Sequence, residues 1–158
     1  MNKKHNIKIF YEKSKMVGHG HFVRSYRLYK ILKERGFSSY IYGNKKKEEI
    51  NNIIEKSKKE IYLILDYKNY KKIDIKKNLK IKKVFIIENL KKKKFYNSLN
   101  IFPLDIQFKN YSGSSYFQYP LNFYKIKNKI LKFKKVPHIL IIQGGTDANN
   151  NLNKILSI

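Results

Sequence analysis

The chain has no cysteine among its 158 residues, which excludes a disulfide framework, a thiolate zinc site and a cysteine nucleophile. It is also short of acid and of arginine. Eleven Asp and Glu stand against 36 Lys and Arg, and only Arg24, Arg27 and Arg35 among the 36 are arginine. A formal net charge of +25 would ordinarily point to nucleic acid or an anionic membrane. The shortage of arginine argues against that, because the guanidinium fork is what suits bidentate phosphate pairing. Lysine, asparagine, isoleucine and tyrosine are abundant together, the pattern expected of A/T-rich codons. The lysine runs 45–47, 71–72 and 91–94 therefore read as solvated faces, and nucleic acid is not the expected partner.

Long apolar runs are missing too. No stretch approaches the roughly 20 apolar residues of a membrane span. The basic N-terminus is followed only by residues 7–11, which Lys8 interrupts, so it lacks the apolar region of a signal peptide. The expectation is a cytoplasmic protein. What is present suffices for a core: hydrophobic residues make up 42% and aromatic residues 15% of a chain of single-domain length.

Residues 6–11 read as a buried strand, followed by a loop holding Gly18, His19, Gly20 and His21. A helix begins near His21, with Phe22, Tyr26, Tyr29 and Leu32 on one stripe and Gly36 as its stop. A strand at 38–42 precedes a helix over 47–59 with Ile50, Ile53 and Ile54 inward. The continuous apolar run 61–65, ending at Asp66, predicts a strand buried on both faces of a parallel sheet. Further strands are expected at 84–87, 101–108 and 137–142, with a polar, aromatic loop over 110–119 and a helix over 121–133. Gly144-Gly145-Thr146-Asp147 follows the last strand, and a final helix starts near residue 149.

Strands and helices alternating at this spacing indicate an α/β fold with a mostly parallel sheet, whose ligands bind at the carboxyl ends of the strands. Three features fall there: the Gly/His loop, Asp66, and the Gly-Gly-Thr-Asp segment. A neutral His21 could take a proton from water attacking an anomeric carbon; it could equally cap or pack at the start of the helix. Arg24 could pair with phosphate, with a carboxylate such as Asp66, or simply face solvent. Asp66 could orient His21 or a sugar hydroxyl, or cap the next turn. Gly144 and Gly145 would allow close backbone approach, or serve a tight turn, with Thr146 as cap and hydroxyl donor. His19 and His21 form a His-x-His pair, but no acidic residue is near in sequence to complete a metal site.

Gly18-x-Gly20-His21-x-x-Arg24 after the first strand, the Ile64-Leu65-Asp66-Tyr67 strand end and the late Gly144-Gly145-Thr146-Asp147 resemble one known family. It comprises the UDP-sugar hydrolases of pseudaminic acid biosynthesis and the related spore-coat polysaccharide proteins, with two-domain glycosyltransferases as more distant relatives. The resemblance implies a Rossmann-like parallel sheet forming the N-terminal half of a GT-B-like two-domain fold. It implies metal-free and cofactor-free hydrolysis of a UDP-linked 2,4-diacetamido-2,4,6-trideoxy sugar to UDP and free sugar. His21 matches the family's catalytic histidine. Gly18, Gly20, Arg24, Asp66, Asn110, Gly144, Gly145, Thr146 and Asp147 are the implied substrate-binding positions, with Asp105 and Asn110 near a family segment of Asp and Asn. The chain departs from the family pattern at Glu88-Asn89, where two aspartates are usual, and at Asn122-Phe123, in place of an arginine region.

By the same resemblance, residues 1–133 are the N-terminal domain and 134–158 the start of a truncated second domain. That second domain would supply most uridine and diphosphate contacts, so a partner chain is a candidate for providing it. The alternatives are the corresponding half of a glycosyltransferase, in which a hydroxyl acceptor replaces water, and a truncated, non-catalytic remnant.

Overall fold

The computed structural model describes residues 5–14, 19–89, 93–103 and 111–113. Five strands, β1 (Asn6–Tyr11), β2 (Ser38–Gly43), β3 (Ile61–Asp66), β4 (Ile81–Ile87) and β5 (Ser98–Ile101), form one sheet in the order β2-β1-β3-β4-β5. Every neighbouring pair is parallel. With helices α1 (Gly20–Glu34) and α2 (Lys47–Glu55) in the crossovers, this is a Rossmann-like α/β architecture.

The two faces of the sheet carry separate cores. Ile7 and Ile9 of β1, Ile64 of β3 and Ile87 of β4 point to one face, where Leu28, Tyr29 and Leu32 of α1 meet them. Phe10, Leu63, Leu65, Val84 and Ile86 alternate to the other face, against Ile50 and Ile54 of α2. Alternation of side chains along a strand makes this division automatic once each strand's register is set.

α1 runs as expected to Glu34, and Gly36 follows in the left-handed conformation at φ +81°. Its inward row differs from the aromatic stripe. Ser25, Leu28, Tyr29 and Leu32 face the sheet, whereas Tyr26 is 40% exposed and stacks on Phe22 and Tyr29 along the helix surface. Tyrosine tolerates that margin because one end of its ring is apolar and the other polar. α2 stops at Glu55, short of residue 59, and Ser57 Oγ donates to the Ile53 carbonyl at 2.8 Å just beyond it.

β4 begins at Ile81, three residues ahead of the apolar run, and β5 occupies Ser98–Ile101 rather than 101–108. Phe102 makes only a single bridge with Ser112, and residues 104–108 lie outside the described residues. The lysine-rich stretch after β3 contributes Tyr70, Ile73 and Ile75 to the core. Tyr70 ties β3 to β4. Its hydroxyl accepts the Tyr67 N–H at 3.1 Å and shares its own proton between the Leu65 and Ile87 carbonyls, at 2.9 and 2.6 Å. The expected helix over 121–133, the strand over 137–142 and the domain boundary at 133/134 fall outside the described residues. Among the described residues no helix is long and apolar enough to cross a membrane.

Candidate active site

The strand order reverses its direction of progression between β1 and β3, and an open parallel sheet has its natural crevice at the carboxyl ends there. β1 delivers the chain into α1, and the first inward positions of α1 are His21, Arg24 and Ser25, at i, i+3 and i+4. Asp66 is the last residue of β3 and shares the side-chain parity of Ile64, so its carboxylate points to the face that α1 covers. Two neighbouring elements thus converge on one fully buried carboxylate.

That carboxylate is surrounded by donors. His21 Nδ1 lies 2.5 Å from Oδ1, and Arg24 is bidentate, with Nη2 at 2.5 Å from Oδ1 and Nε at 2.9 Å from Oδ2. Ser25 Oγ donates to Oδ2 at 3.2 Å. The remaining Arg24 nitrogen, Nη1, pairs with Glu88 Oε2 at 2.9 Å, just past the end of β4. Glu88 sits at φ +55°, and its other carboxylate oxygen is buried without a hydrogen-bond partner.

Burial works against ionisation of Asp66, but the hydrogen bonds from His21 and Arg24 and the guanidinium charge outweigh it and hold the carboxyl below its ordinary value. Burial also disfavours the Arg24 cation, and Asp66 and Glu88 together reverse that and hold its pKa above the ordinary value. An ionised Asp66 can only accept, so the chemistry assigns the proton of the His21–Asp66 contact to Nδ1. The 3.4 Å approach of Arg24 Nη2 to Nδ1 is then a contact between two donors. Nε2 of a neutral His21 is left with its lone pair, in an imidazole fixed in tautomer and orientation. The arrangement can accept a proton at Nε2 and stabilise the resulting imidazolium through Asp66.

Of the positions singled out in the sequence, the structure brings together His21, Arg24 and Asp66. Of the options open to Arg24, it selects the carboxylate. Gly20 is the exposed first residue of α1, and a Cβ there would meet nothing within 4 Å. His19 precedes it, exposed, and no group of three or more His, Asp or Glu among the described residues could hold a metal ion. Gly18, Asn110, Gly144, Gly145, Thr146 and Asp147 lie outside the described residues, as does Asp105.

The sequence reading did not place Ser25 and Glu88 in this cluster. Ser25 is four residues beyond His21 on the same helix face, and Glu88 follows β4 much as Asp66 closes β3, so spacing and strand-end position were the available signals. Asn89, the other departure from the family pattern, is a loop staple: it accepts the Lys93 N–H at 3.1 Å and donates to the Lys93 carbonyl and to Asn100. On the α2 side of the same sheet edge, Lys13, Lys45 and Lys46 line a cavity of about 590 Å³ with Asn44 and Tyr67.

The fold and this cluster define a Rossmann-like α/β domain with a carboxylate-oriented histidine at its topological switch point. No family model, no curated protein and no solved structure matches the chain.

Proposed function

We propose that this domain hydrolyses a nucleotide-linked sugar, specifically a UDP-linked 2,4-diacetamido-2,4,6-trideoxy sugar, releasing UDP and the free sugar. The observation that carries the reading is the 2.5 Å contact between His21 Nδ1 and the buried Asp66 carboxylate, with Arg24 locking that carboxylate in place. His21 Nε2 accepts a proton from the attacking water as its oxygen bonds to the anomeric carbon. The bond from that carbon to the phosphate oxygen breaks, and UDP leaves with the bonding electrons. Asp66 supports the imidazolium that forms, and Arg24 keeps Asp66 ionised and immobile. Because the described contacts of Arg24 go to Asp66 and Glu88, the diphosphate is assigned to other residues. Gly144 to Asp147, the second domain implied by the resemblance, or a partner chain are the candidates in this reading.

The test is UDP release from the UDP-diacetamido-trideoxyhexose by the full chain and by its His21→Ala variant, both shown folded by circular dichroism. Release that disappears in His21→Ala supports the reading. Equal release by both would remove His21 from the mechanism, and no release by the folded parent chain would reject the hydrolase.

A further inference from the structure

Glu88 joins the cluster through Arg24 rather than through Asp66, and two local features fix its place. It sits in the left-handed region at φ +55°, which a glutamate adopts rarely and keeps only where its surroundings hold it. Its N–H donates to the Ile101 carbonyl of β5 at 2.8 Å. The next residue, Asn89, is fully buried and bonded to both Lys93 and Asn100. The turn after β4 is thereby fixed, and with it the direction of the Glu88 side chain. Its Oε2 meets Arg24 Nη1 at 2.9 Å.

The Arg24 guanidinium is therefore held from two sides, with Nε and Nη2 on Asp66 and Nη1 on Glu88. Counting charge shows what the second carboxylate adds. Arg24 and Asp66 alone form a neutral pair. An imidazolium beside them, on a side chain only 16% exposed, would stand as an uncompensated cation. With Glu88 the group carries one net negative charge, and an imidazolium brings it to zero. Among the described residues, the charged groups facing the imidazole are Asp66 from β3, Arg24 from its own helix and, through Arg24, Glu88. Tyr67 and Tyr70, in the connection after β3, add no charge, because burial raises the ionisation of both. A unit charge two hydrogen bonds away, at an effective dielectric of about 20, alters proton affinity by roughly tenfold.

We propose that Glu88 is a positioning residue: it holds the far side of Arg24 and so restores to Asp66 the negative charge that an imidazolium at His21 requires. It acts through Arg24, on the group that exchanges the proton. The inference rests on the reading of His21 as proton acceptor and deepens it. A carboxylate that merely anchored the turn after β4 would leave the titration of His21 alone.

The test follows the titration of His21 by ring-nitrogen NMR in the full chain, its signal identified by its loss in His21→Ala. Glu88→Gln keeps an acceptor for Arg24 and removes only the charge, so the affinity of Nε2 for a proton should fall at least about threefold. Glu88→Asp restores the charge and should stay within about twofold of the parent. Glu60→Gln, which removes an acid paired with Lys82 just ahead of β3, should do the same. An affinity unmoved in Glu88→Gln, or moved equally by Glu60→Gln, would overturn the proposal. A second measurement needs no variant and so covers misfolding of Glu88→Gln. Arg24 Nη1 and Nη2 should give separate proton signals in the parent chain, because rotation of the guanidinium requires both carboxylates to let go. One averaged signal would overturn the proposal. In the UDP-release assay, Glu88→Gln should lower kcat several-fold and leave KM within about twofold. A change in KM alone would make Glu88 a substrate contact and also overturn it. No release by the parent chain rejects the hydrolase, and the NMR comparison still decides the role of Glu88.

Discussion

Asp66 is the residue on which the cluster depends, because four donor atoms converge on a carboxylate with no exposure to solvent. Asp66→Asn removes the charge and leaves the Arg24 guanidinium, itself only 11% exposed, with Glu88 alone. Removing one partner of a buried ion pair costs about 3–5 kcal/mol, and urea denaturation should show a loss of that order. A loss below about 1 kcal/mol would mean that Arg24 escapes to solvent and that the pair behaves as a surface one. The same carboxyl sets a pH dependence. Its pKa is lower in the folded chain than in the unfolded one, so its contribution is complete above the unfolded value, about 4, and is lost as pH falls through the folded value. The urea midpoint of the parent chain should therefore decline from about pH 4 downward, and that of Asp66→Asn should decline less. Parallel declines would show that another carboxyl governs acid unfolding.

At the scale of elements, the two glycines that bracket α1 make opposite demands. Gly36 sits at φ +81°, where an L side chain is strained, and Gly36→Ala should cost about 1 kcal/mol. Gly20 is helical with open space around its Cβ direction, so Gly20→Ala should change stability by no more than about 0.5 kcal/mol. If Gly20→Ala nonetheless lowers UDP release, a ligand approaches its backbone; thermal melts beside the activity assay separate the two effects. Equal destabilisation by both substitutions would contradict the backbone geometry.

Much of this architecture was readable beforehand, and the parts that were not have physical causes. β1 and β3 announce themselves because central parallel strands are buried on both faces, and Asp66 stood out as the acid closing such a run. β5 lies earlier than the apolar run suggests because a strand of pattern Ser-Leu-Asn-Ile, outermost among the described strands, carries little apolar signal, and its half-buried residues need none. The apolar stripe of α1 gives Tyr29 and Leu32 of its inward face and no more, because the first turn buries polar groups, His21, Arg24 and Ser25, in service of Asp66, while Tyr26 lies at the margin. Tyr70, Ile73 and Ile75 were hidden among lysines. Local pattern finds elements that pack on apolar neighbours; it does not find residues whose partner is a single charge elsewhere in the chain.

For the whole molecule, the dominant electrostatic fact is 36 basic residues against 11 acidic ones. Several acids are already committed to cations: Asp66 and Glu88 to Arg24, Glu49 to Lys45, Asp74 to Lys47 and Glu60 to Lys82. Many lysines are left to repel one another across a small surface. Added salt acts on both signs of interaction. It weakens the exposed pairs, which contribute little, and it screens the repulsion among a much larger number of like charges. The buried Asp66–Arg24 pair is largely shielded from it. The balance favours the folded state, because unfolding lets the lysines move apart and folding gathers them. The urea midpoint should therefore rise between low salt and about 0.5 M sodium chloride, where the screening length has shrunk to roughly 4 Å. Guanidinium chloride, itself a salt, should report a higher extrapolated stability than urea at low ionic strength. A midpoint that falls with salt would mean that the few ion pairs outweigh the excess charge, and that the lysine faces are organised around partners rather than merely solvated.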